Sequence, residues 1–260
     1  MEIDLYQVDA FTTKLFGGNP AAVCPLEKWL DDETLQKVSL ENNLSETAFF
    51  VKEREGVYKL RWFTPTVEVD LCGHATLASA YVIFNVLHEP VNQITFSTQS
   101  GDLIVTQEQG VIVLNFPSYM PKKVKIEKKL LKAVSFEPKE IYFNKKLLFL
   151  LRDEREVINA VPNFETIRSY DGDGLIITAA GDKVDFVSRY FAPHAGIPED
   201  PVTGSAHTLL TPFWSERLNK KVLTAKQVSS RGGELLCENL DGRVKISGNA
   251  VLYSKGKIYL

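Results

Sequence analysis

Two short stretches of the chain combine residue types that could hold an anion at a helix start. Gly73 and His74 form the first stretch, and Gly204 and Ser205 form the second. Each follows a strand-like run of an arginine and two aromatic residues, at 61–63 and 189–191, and then a loop broken by proline. A helix start exposes unpaired backbone N–H groups and carries partial positive charge. The repetition predicts two similar halves and one cleft lined by both.

Three side chains near these stretches are candidates for acid and base chemistry. Glu46 opens a strand and precedes an apolar run, which could raise the proton affinity of its carboxylate. His74 lies at a helix start, where the helix dipole favours a neutral imidazole. Asp200 lies in a loop stiffened by Pro198 and Pro201, so its carboxylate could be held in one place.

Each candidate also has a purely structural interpretation. Glu46 could be an exposed residue at a strand edge, since glutamate is rarely buried without a partner. His74 could merely cap its helix, and an Asp-Pro pair such as Asp200 is common in turns. The local sequence leaves both interpretations open at all three positions.

Cys72 invites comparison with racemases that place one thiol on each side of the substrate. The matching loop of the second half holds Thr203 and Ser205 but no cysteine, which disfavours a two-thiol mechanism. No glycine-rich dinucleotide motif follows a strand, no phosphate-loop lysine is present, and no histidine or carboxylate pair has metal-ligand spacing. We therefore expect no cofactor and no metal.

Length and composition describe an ordinary globular protein. The 260 residues suit two domains of about 130 each. The net charge of −3 and the pI near 5.9 argue against nucleic acid as a partner. A basic run over residues 122–129 is typical of a solvated linker face.

The chain shows no sign of a membrane or a secretory pathway. It begins with a strand-like run rather than a signal peptide, and its longest apolar stretch, residues 77–87, is too short to span a membrane. Cys24, Cys72 and Cys237 are an odd number without metal spacing, which predicts free thiols in a reducing compartment. We expect a cytoplasmic protein with no membrane partner.

The pattern of elements favours an α+β fold built twice. A capped helix begins at Asp31 or Asp32, and the helix after Gly73 is small or apolar on nearly every face, so a sheet should wrap around it. In the second half, residues 147–151 correspond to 21–24 and residues 162–170 to the capped helix. Pro212 should kink the second buried helix or mark an irregular turn.

Several motifs together resemble the PhzF family of phenazine-biosynthesis-like isomerases. The resemblance runs from near the first residue to at least Gly233 and rests on residues 9–11, 18–23, 45–49, 73–76 and 199–206. It implies the diaminopimelate epimerase-like fold: two pseudo-symmetric α/β halves, each a curled mixed sheet around a central buried helix, with the active site between them. The expected halves are residues 1–118, completed by a last strand at 251–260, and residues 119–250.

The resemblance also implies an activity and a set of site residues. The family's namesake isomerises trans-2,3-dihydro-3-hydroxyanthranilate by moving a proton, without metal or cofactor. Its catalytic residues align with Glu46, His74 and Asp200. The residues implied to bind a small carboxylate substrate are Asn19, Gly73, Gly204 and Ser205. Family members are commonly homodimers, so a homodimer is expected.

Two other functions remain open from the sequence. One is a racemase or epimerase of an amino or hydroxy acid, with Glu46 on one side of the substrate and Asp200 or Cys72 on the other. The other is a non-catalytic adaptor that has kept a site for a small acid. The presence of Glu46, His74 and Asp200 together argues against an adaptor, because a binding module has no need of the full set.

Overall fold

The computed structural model describes residues 1–125, 128–170 and 172–260. The chain forms two compact units. The first unit comprises residues 1–115 and 247–260, and the second unit comprises residues 116–246. Each unit has its own set of strands and its own buried helix.

The first unit is built mainly of strands. They are β1 (Glu2–Ala10), β2 (Asn19–Leu26), β3 (Glu46–Arg54), β4 (Val57–Phe63), β5 (Glu68–Val69), β6 (Gln93–Thr98), β7 (Gly101–Glu108), β8 (Val111–Pro117) and the last strand of the chain, β18 (Ala250–Tyr259). Its helices are α1 (Asp32–Asn42) and α2 (Gly73–Tyr81), and α2 continues into a π-helical turn at Val82–Val86.

The second unit repeats this composition. Its strands are β9 (Lys122–Lys123), β10 (Glu140–Asn144), β11 (Lys146–Leu150), β12 (Leu175–Ala180), β13 (Phe186–Ala192), β14 (Ile197–Asp200), β15 (Val222–Gln227), β16 (Gly233–Asn239) and β17 (Arg243–Gly248). Its α-helices are α3 (Glu154–Asn159), α4 (Phe164–Arg168) and α5 (Gly204–Leu218), with 3₁₀ turns at Lys128–Ala133 and Pro193–Ala195.

The strands of the two units share one order of pairing. In the first unit β2 pairs with β3 in parallel, β3 with β4 antiparallel, β4 with β6 in parallel and β6 with β7 antiparallel. In the second unit β11, β12, β13, β15 and β16 repeat that order and those directions. The repeat in the sequence is therefore a repeat of mixed-sheet topology, and the fold has the predicted α+β class.

The central helix of the first unit is buried along its whole length. Every residue of α2 from Gly73 to Ala80 is inaccessible, and the helix packs against β1, β2 and β3. The small side chains along this helix let the surrounding strands approach it closely. The prediction that this segment is buried on all sides is confirmed.

The central helix of the second unit, α5, passes through Pro212 without ending. A proline lacks the N–H that would bind the carbonyl four residues earlier, which here belongs to Thr208. The backbone N–H of Tyr119 donates to that carbonyl at 3.0 Å instead. The irregular turn predicted at Pro212 is thus avoided, because a neighbouring segment satisfies the freed acceptor.

The outer helices agree only in part with the sequence prediction. Asp31 caps α1, and its side chain accepts a hydrogen bond from the Thr34 N–H. In the second unit one short helix, α4, lies within the predicted range 162–170 and is capped by Asn163, and a further short helix, α3, capped by Asp153, was not predicted. Pro162 separates them and forms an isolated bridge with Val134.

The repeated arginines tie short strands to the sheets. Arg61 on β4 makes a two-pronged ion pair with Glu68 on β5, and both hydrogen bonds are 2.7 Å long. Arg189 on β13 pairs in the same way with Glu199 on β14, at 2.7 and 2.9 Å. These pairs hold the strands that lead into the starts of α2 and α5.

Cys24, Cys72 and Cys237 are all buried and free of disulfides, as predicted. Within the described ranges, no helix is both long enough and apolar enough to cross a membrane.

Candidate active site

Glu46 is the first residue of β3 and is 8% exposed. Its backbone pairs with Ala21 on β2, which places the side chain beside the start of α2. The Glu46 Oε2 atom lies 3.1 Å from His74 Nε2, and neither atom has another hydrogen-bond partner among the described residues. The structure therefore rules out an exposed residue at a strand edge: Glu46 is a buried carboxylate next to an imidazole.

His74 contacts polar groups on both sides of its ring. Its Nε2 atom lies next to Glu46, and its Nδ1 atom lies 3.1 Å from the Asn19 side-chain amide and 3.4 Å from Cys72 Sγ. An amide group can turn either its NH₂ or its oxygen to the ring, so the contact with Asn19 suits both the neutral and the charged imidazole. The ring can therefore take up and release a proton without losing this support.

The protonation of His74 differs from the sequence prediction. Burial disfavours the imidazolium form, but Cys72 and Glu46 outweigh burial and raise the pKa of His74 well above its usual value. The neutral imidazole predicted from the helix dipole was wrong, since a buried charge at 3.1 Å has a larger effect than the dipole.

Cys72 precedes α2 at the N-cap position and makes no side-chain capping bond. Burial, with a smaller contribution from Glu46, raises the pKa of its thiol to about 11. The thiol is therefore protonated at neutral pH and does not act as a base there. Its contact with His74 Nδ1 is compatible with a proton-donor role.

The position of Asn19 depends on the glycine before it. Gly18 has a φ of +64°, and a Cβ atom at this residue would lie 2.1 Å from the Ala10 carbonyl oxygen. Only glycine fits this turn without displacement of the backbone. Asn19 then starts β2 fully buried, with its side chain directed at His74.

The same residues form a possible metal-ligand set. Glu46, Cys72 and His74 each offer one ligand atom, and these atoms lie within 4.8 Å of one another. A carboxylate, a thiolate and an imidazole would suit Zn²⁺.

In the second unit, Asp200 ends β14 and is 8% exposed. Its Oδ2 atom accepts a 2.5 Å hydrogen bond from the Thr203 hydroxyl. The fully buried Gln227 side chain joins the network from β15: its amide NH₂ donates to the Asp200 carbonyl at 2.7 Å, and its oxygen accepts from the Thr203 N–H at 2.9 Å. These bonds hold the Asp200 carboxylate and the start of α5 in one arrangement.

Gly204 and Ser205 are the first two residues of α5, directly after this network. Gly204 is buried and Ser205 is half-buried. Within the described part of the chain, no hydrogen bond involves the Ser205 hydroxyl. Its hydroxyl and the first backbone N–H groups of the helix are therefore available to a ligand.

Thr203 and Gln227 were missed by sequence analysis. Gln227 carried a recognisable signal, because residues of β15 alternate between exposed and buried and a polar residue occupies one of the buried positions. Thr203 carried none beyond its place before the helix. Only the folded loop brings its hydroxyl onto Asp200.

His207, one turn into α5, supports the same loop. Its Nδ1–H donates to the Thr203 carbonyl at 2.8 Å, while Nε2 has no hydrogen-bond partner among the described residues. Burial lowers its pKa to about 4, although the bond to Thr203 acts in the opposite direction. His207 is therefore neutral at physiological pH.

The neutral state of His207 predicts a pH-dependent stability. An unfolded histidine titrates near pH 6.5, so between about pH 4 and 6.5 the unfolded chain binds a proton that the folded chain does not. Stability should rise with pH across this window, by about 3 kcal/mol, and then level off. The variant His207→Asn keeps a donor for the Thr203 carbonyl and should lose this part of the slope. Urea denaturation at several pH values measures it; an unchanged slope in the variant would refute the assignment.

The register of the repeats shows that the two units differ where chemistry is expected. Arg61 and Arg189 are equivalent residues of the repeat. The residue that pairs with Arg61 lies three positions after Glu46, and the residue that pairs with Arg189 lies three positions after Gly174. Glu46 therefore corresponds to Gly174. The duplicated scaffold carries this carboxylate in the first unit alone.

The reverse holds for Asp200. Asp200 pairs with Tyr190. The residue of the first unit that corresponds to Tyr190 is Trp62, which pairs with Val69, so Val69 is the counterpart of Asp200. The second unit therefore supplies a carboxylate where the first has an apolar side chain. The fold is repeated, but the acid and base groups are not.

Comparison with known proteins connects this arrangement to a family. The family model described as phenazine biosynthesis-like protein matches residues 8–256. The chain belongs to the PhzF family. An uncharacterized isomerase of Pseudomonas aeruginosa is 46% identical over 260 residues, and the match covers all of both chains.

Solved structures agree with this assignment. A PhzF family protein from Enterococcus faecalis has 49% sequence identity and a TM-score of 0.97, with both chains covered completely. A hydroxyproline epimerase from Agrobacterium vitis has 9% identity and a TM-score of 0.64, covering 99% of this chain and 92% of that one. The second likeness concerns the fold alone. The predicted epimerase-like fold is confirmed, and the chain is an isomerase at the level of its family.

Proposed function

We propose that the protein is a cofactor-independent isomerase that moves a proton between carbon positions of a small substrate bearing a carboxylate. The observation that carries the proposal is the buried contact of 3.1 Å between the Glu46 carboxylate and the His74 imidazole. A buried acid–base pair of this kind can abstract and return a proton near neutral pH. Membership of the PhzF family supports the same reaction class.

In the proposed reaction, Glu46 removes a proton from a substrate carbon and later returns it to another carbon of the conjugated system. Proton uptake removes the negative charge of Glu46, which, together with Cys72, raises the pKa of His74. The imidazolium can then release its own proton more readily. The imidazolium can pass this proton to a substrate oxygen while Glu46 holds the carbon proton, and it takes the proton back when Glu46 delivers its own to the second carbon.

Asp200 has the role of stabilising charge that develops on the substrate. The network of Thr203 and Gln227 fixes the carboxylate, so little reorganisation is needed during the reaction. Backbone N–H groups at Gly73 and Gly204, the Ser205 hydroxyl and the Asn19 amide are proposed to bind polar groups of the substrate. A cytoplasmic homodimer remains a prediction of the sequence.

The variant Asp200→Asn should lower the rate of proton exchange by about 10²-fold, as loss of one preorganised polar group does elsewhere. Asparagine keeps an oxygen for the Thr203 hydroxyl, so the fold of the loop should persist. Solvent deuterium incorporation measures the rate. Asp185→Asn, a change to an ion-paired aspartate outside this network, is the control and should leave the rate unchanged. Exchange at the normal rate in Asp200→Asn would remove Asp200 from the mechanism.

Metal chelation should leave the activity unchanged. Both nitrogens of His74 are engaged with protein groups, so the proposed proton transfer needs no metal ligand. The measurement is the exchange rate before and after dialysis against EDTA. A loss of activity that added Zn²⁺ restores would contradict the prediction and point to the carboxylate, thiol and imidazole as ligands.

A second candidate is an epimerase in which Cys72 donates a proton to one face of a substrate carbon. The contact between Cys72 Sγ and His74 Nδ1, together with a thiol that stays protonated at neutral pH, favours this alternative. Loss of substrate chirality in water, abolished in Cys72→Ser, would support it. Retained chirality with a shifted double bond would support the isomerase.

The test of the proposed function is incorporation of solvent deuterium into a panel of small cyclic and amino acids, followed by proton NMR. The panel includes trans-2,3-dihydro-3-hydroxyanthranilate. Label entering one compound at one carbon would support proton-transfer catalysis and identify the substrate class. Binding of a compound without any label would favour the non-catalytic adaptor.

A further inference from the structure

The second unit buries a lysine that the reaction described above does not use. Lys146 is the first residue of β11, and its side chain is 9% exposed. Lysine is almost never buried unless it is paired, because removal of an ammonium group from water costs several kcal/mol. The question is what compensates this charge.

The partner of Lys146 is Asp173, and the contact is weak. The distance from Lys146 Nζ to Asp173 Oδ2 is 3.4 Å, whereas strong ammonium–carboxylate bonds measure about 2.7–2.9 Å. The Asp173 side chain is 61% exposed, so water screens most of its charge. Burial lowers the pKa of Lys146, and the opposing effect of Asp173 is smaller.

The strand register places Lys146 on the same face of the sheet as Asp200. Leu147 and Phe149 belong to the apolar core on one face, so Lys146 and Leu150 point to the other face. Leu150 pairs with Thr178, whose hydroxyl accepts a hydrogen bond from Trp214 of α5. The face that carries Lys146 is therefore the face covered by α5.

Tyr190 links the lysine to Asp200 on this face. Lys146 Nζ lies 5.7 Å from the centre of the Tyr190 ring, and the backbone of Tyr190 pairs with that of Asp200. Gly174 makes room for the ring, since a Cβ atom there would lie 2.7 Å from the Tyr190 hydroxyl oxygen. Lys146 thus borders the site that contains the Asp200 carboxylate.

The repeat shows that the fold itself does not require a lysine here. Lys146 precedes Leu147, which pairs with Leu175, so the register places Lys146 opposite Gly174. In the first unit, the residue opposite Glu46 is Ala21. Ala21, a small apolar residue, is therefore the counterpart of Lys146 in the first unit. The sequence alignment of the repeats had instead matched Ala21 with Leu147, one residue later.

We propose that Lys146 is an anion-binding residue and that its ammonium group binds the substrate carboxylate in exchange for Asp173. The exposed Asp173 side chain marks the route by which an anion can approach Nζ. The other charges nearby are those of Lys145 and Asp200, which oppose each other in sign. The proposal rests on the proposed function in one respect, that the substrate bears a carboxylate.

The experiment is calorimetric titration of the full chain with benzoate and with benzamide, a neutral compound of the same shape. Wild type should bind benzoate more tightly than benzamide. Lys146→Met, which keeps the length of the side chain without its charge, should weaken benzoate binding about 10- to 100-fold and leave benzamide binding unchanged. Asp173→Asn is the matched control and should bind benzoate at least as tightly as wild type, because a competing carboxylate is gone.

A purely structural ion pair predicts a different pattern. In that case Lys146→Met and Asp173→Asn would behave alike, and benzoate affinity would not depend on Lys146. Equal behaviour of the two variants overturns the proposal, and so does a benzoate affinity that is independent of Lys146. A wild-type protein that binds benzoate no more tightly than benzamide also overturns it. NMR of the lysine side-chain ammonium group in wild type checks the contact even if Lys146→Met does not fold: benzoate, and not benzamide, should shift the Lys146 signal.

The same titration separates this proposal from the isomerase. Benzoate binding that depends on Lys146, in a protein that exchanges no substrate proton, would support the anion site and refute the isomerase. If Lys146→Met exchanges substrate protons normally and binds benzoate as wild type does, the anion site is refuted and the isomerase is supported.

Discussion

Replacement of Glu46 by glutamine should lower the rate of solvent deuterium incorporation by about 10²- to 10⁴-fold, the usual contribution of a well-placed acid or base. Glutamine has nearly the same shape as glutamate, and its side chain can still contact His74 Nε2. The change therefore removes the ability to accept a proton and little else. The measurement is the exchange rate by NMR at saturating substrate.

The control for this variant lies on the same strand. Glu53 is also part of β3, but its side chain is at the surface and forms an ion pair with Lys59. Glu53→Gln should exchange protons at the wild-type rate. A normal rate in Glu46→Gln would show that another group removes the proton, and the Cys72 epimerase would then become the leading candidate.

Replacement of His74 by glutamine should have the second-largest effect, about 10²-fold or more. The glutamine side chain can place a polar group near the former Nε2 position, but it cannot take up and release a proton. His88→Gln, at an exposed histidine, is the control and should be without effect. The same deuterium assay applies to both variants.

The pH profile distinguishes a relay from a purely structural histidine. The pKa of His74 is raised, so the imidazolium persists above pH 6.5 and is lost as pH rises through the higher folded-state value. Wild-type activity should fall at alkaline pH for this reason, and His74→Gln should lack that limb. If both proteins show the same profile, His74 does not carry the proton.

The contribution of His74 to folding stability should also fall as pH rises, as the activity does. A histidine with a raised pKa stabilises the folded state fully below its unfolded pKa, and this contribution is lost as pH rises through the folded one. His207, whose pKa is lowered, has the opposite trend below pH 6.5. The two histidines thus favour a stability maximum near neutral pH, and denaturation of the single variants separates their contributions.

Much of this protein could be predicted from its sequence because the relevant signals are local. The repeated arginine–aromatic runs, the prolines and the glycines at 73 and 204 mark the same elements in both halves. The apolar character of the segment after Gly73 predicts a buried helix, and the capping residue Asp31 predicts where α1 begins. Such patterns depend on residues a few positions apart, where backbone geometry limits the choices.

Other features depend on contacts between distant parts of the chain. The raised pKa of His74 arises from Cys72 and from Glu46, which is 28 positions earlier, and local sequence suggested the opposite. The hydroxyl of Thr203 and the amide of Gln227 reach Asp200 only because β14, β15 and the start of α5 converge. Where α5 passes through Pro212, the carbonyl that the proline leaves without its helical partner accepts a hydrogen bond from Tyr119, a distant residue in the sequence.

The fold class, the duplication and the residue types available for proton transfer can all be predicted from local sequence patterns. Which residues occupy equivalent positions in the two units is known only from the folded chain. Strand register sets Gly174 and Lys146 where the first unit has Glu46 and Ala21. A shift of one residue would turn Lys146 to the opposite face of the sheet, because side chains alternate along a strand. The register is set by pairing between strands that are distant in the sequence, so no single stretch of sequence specifies it.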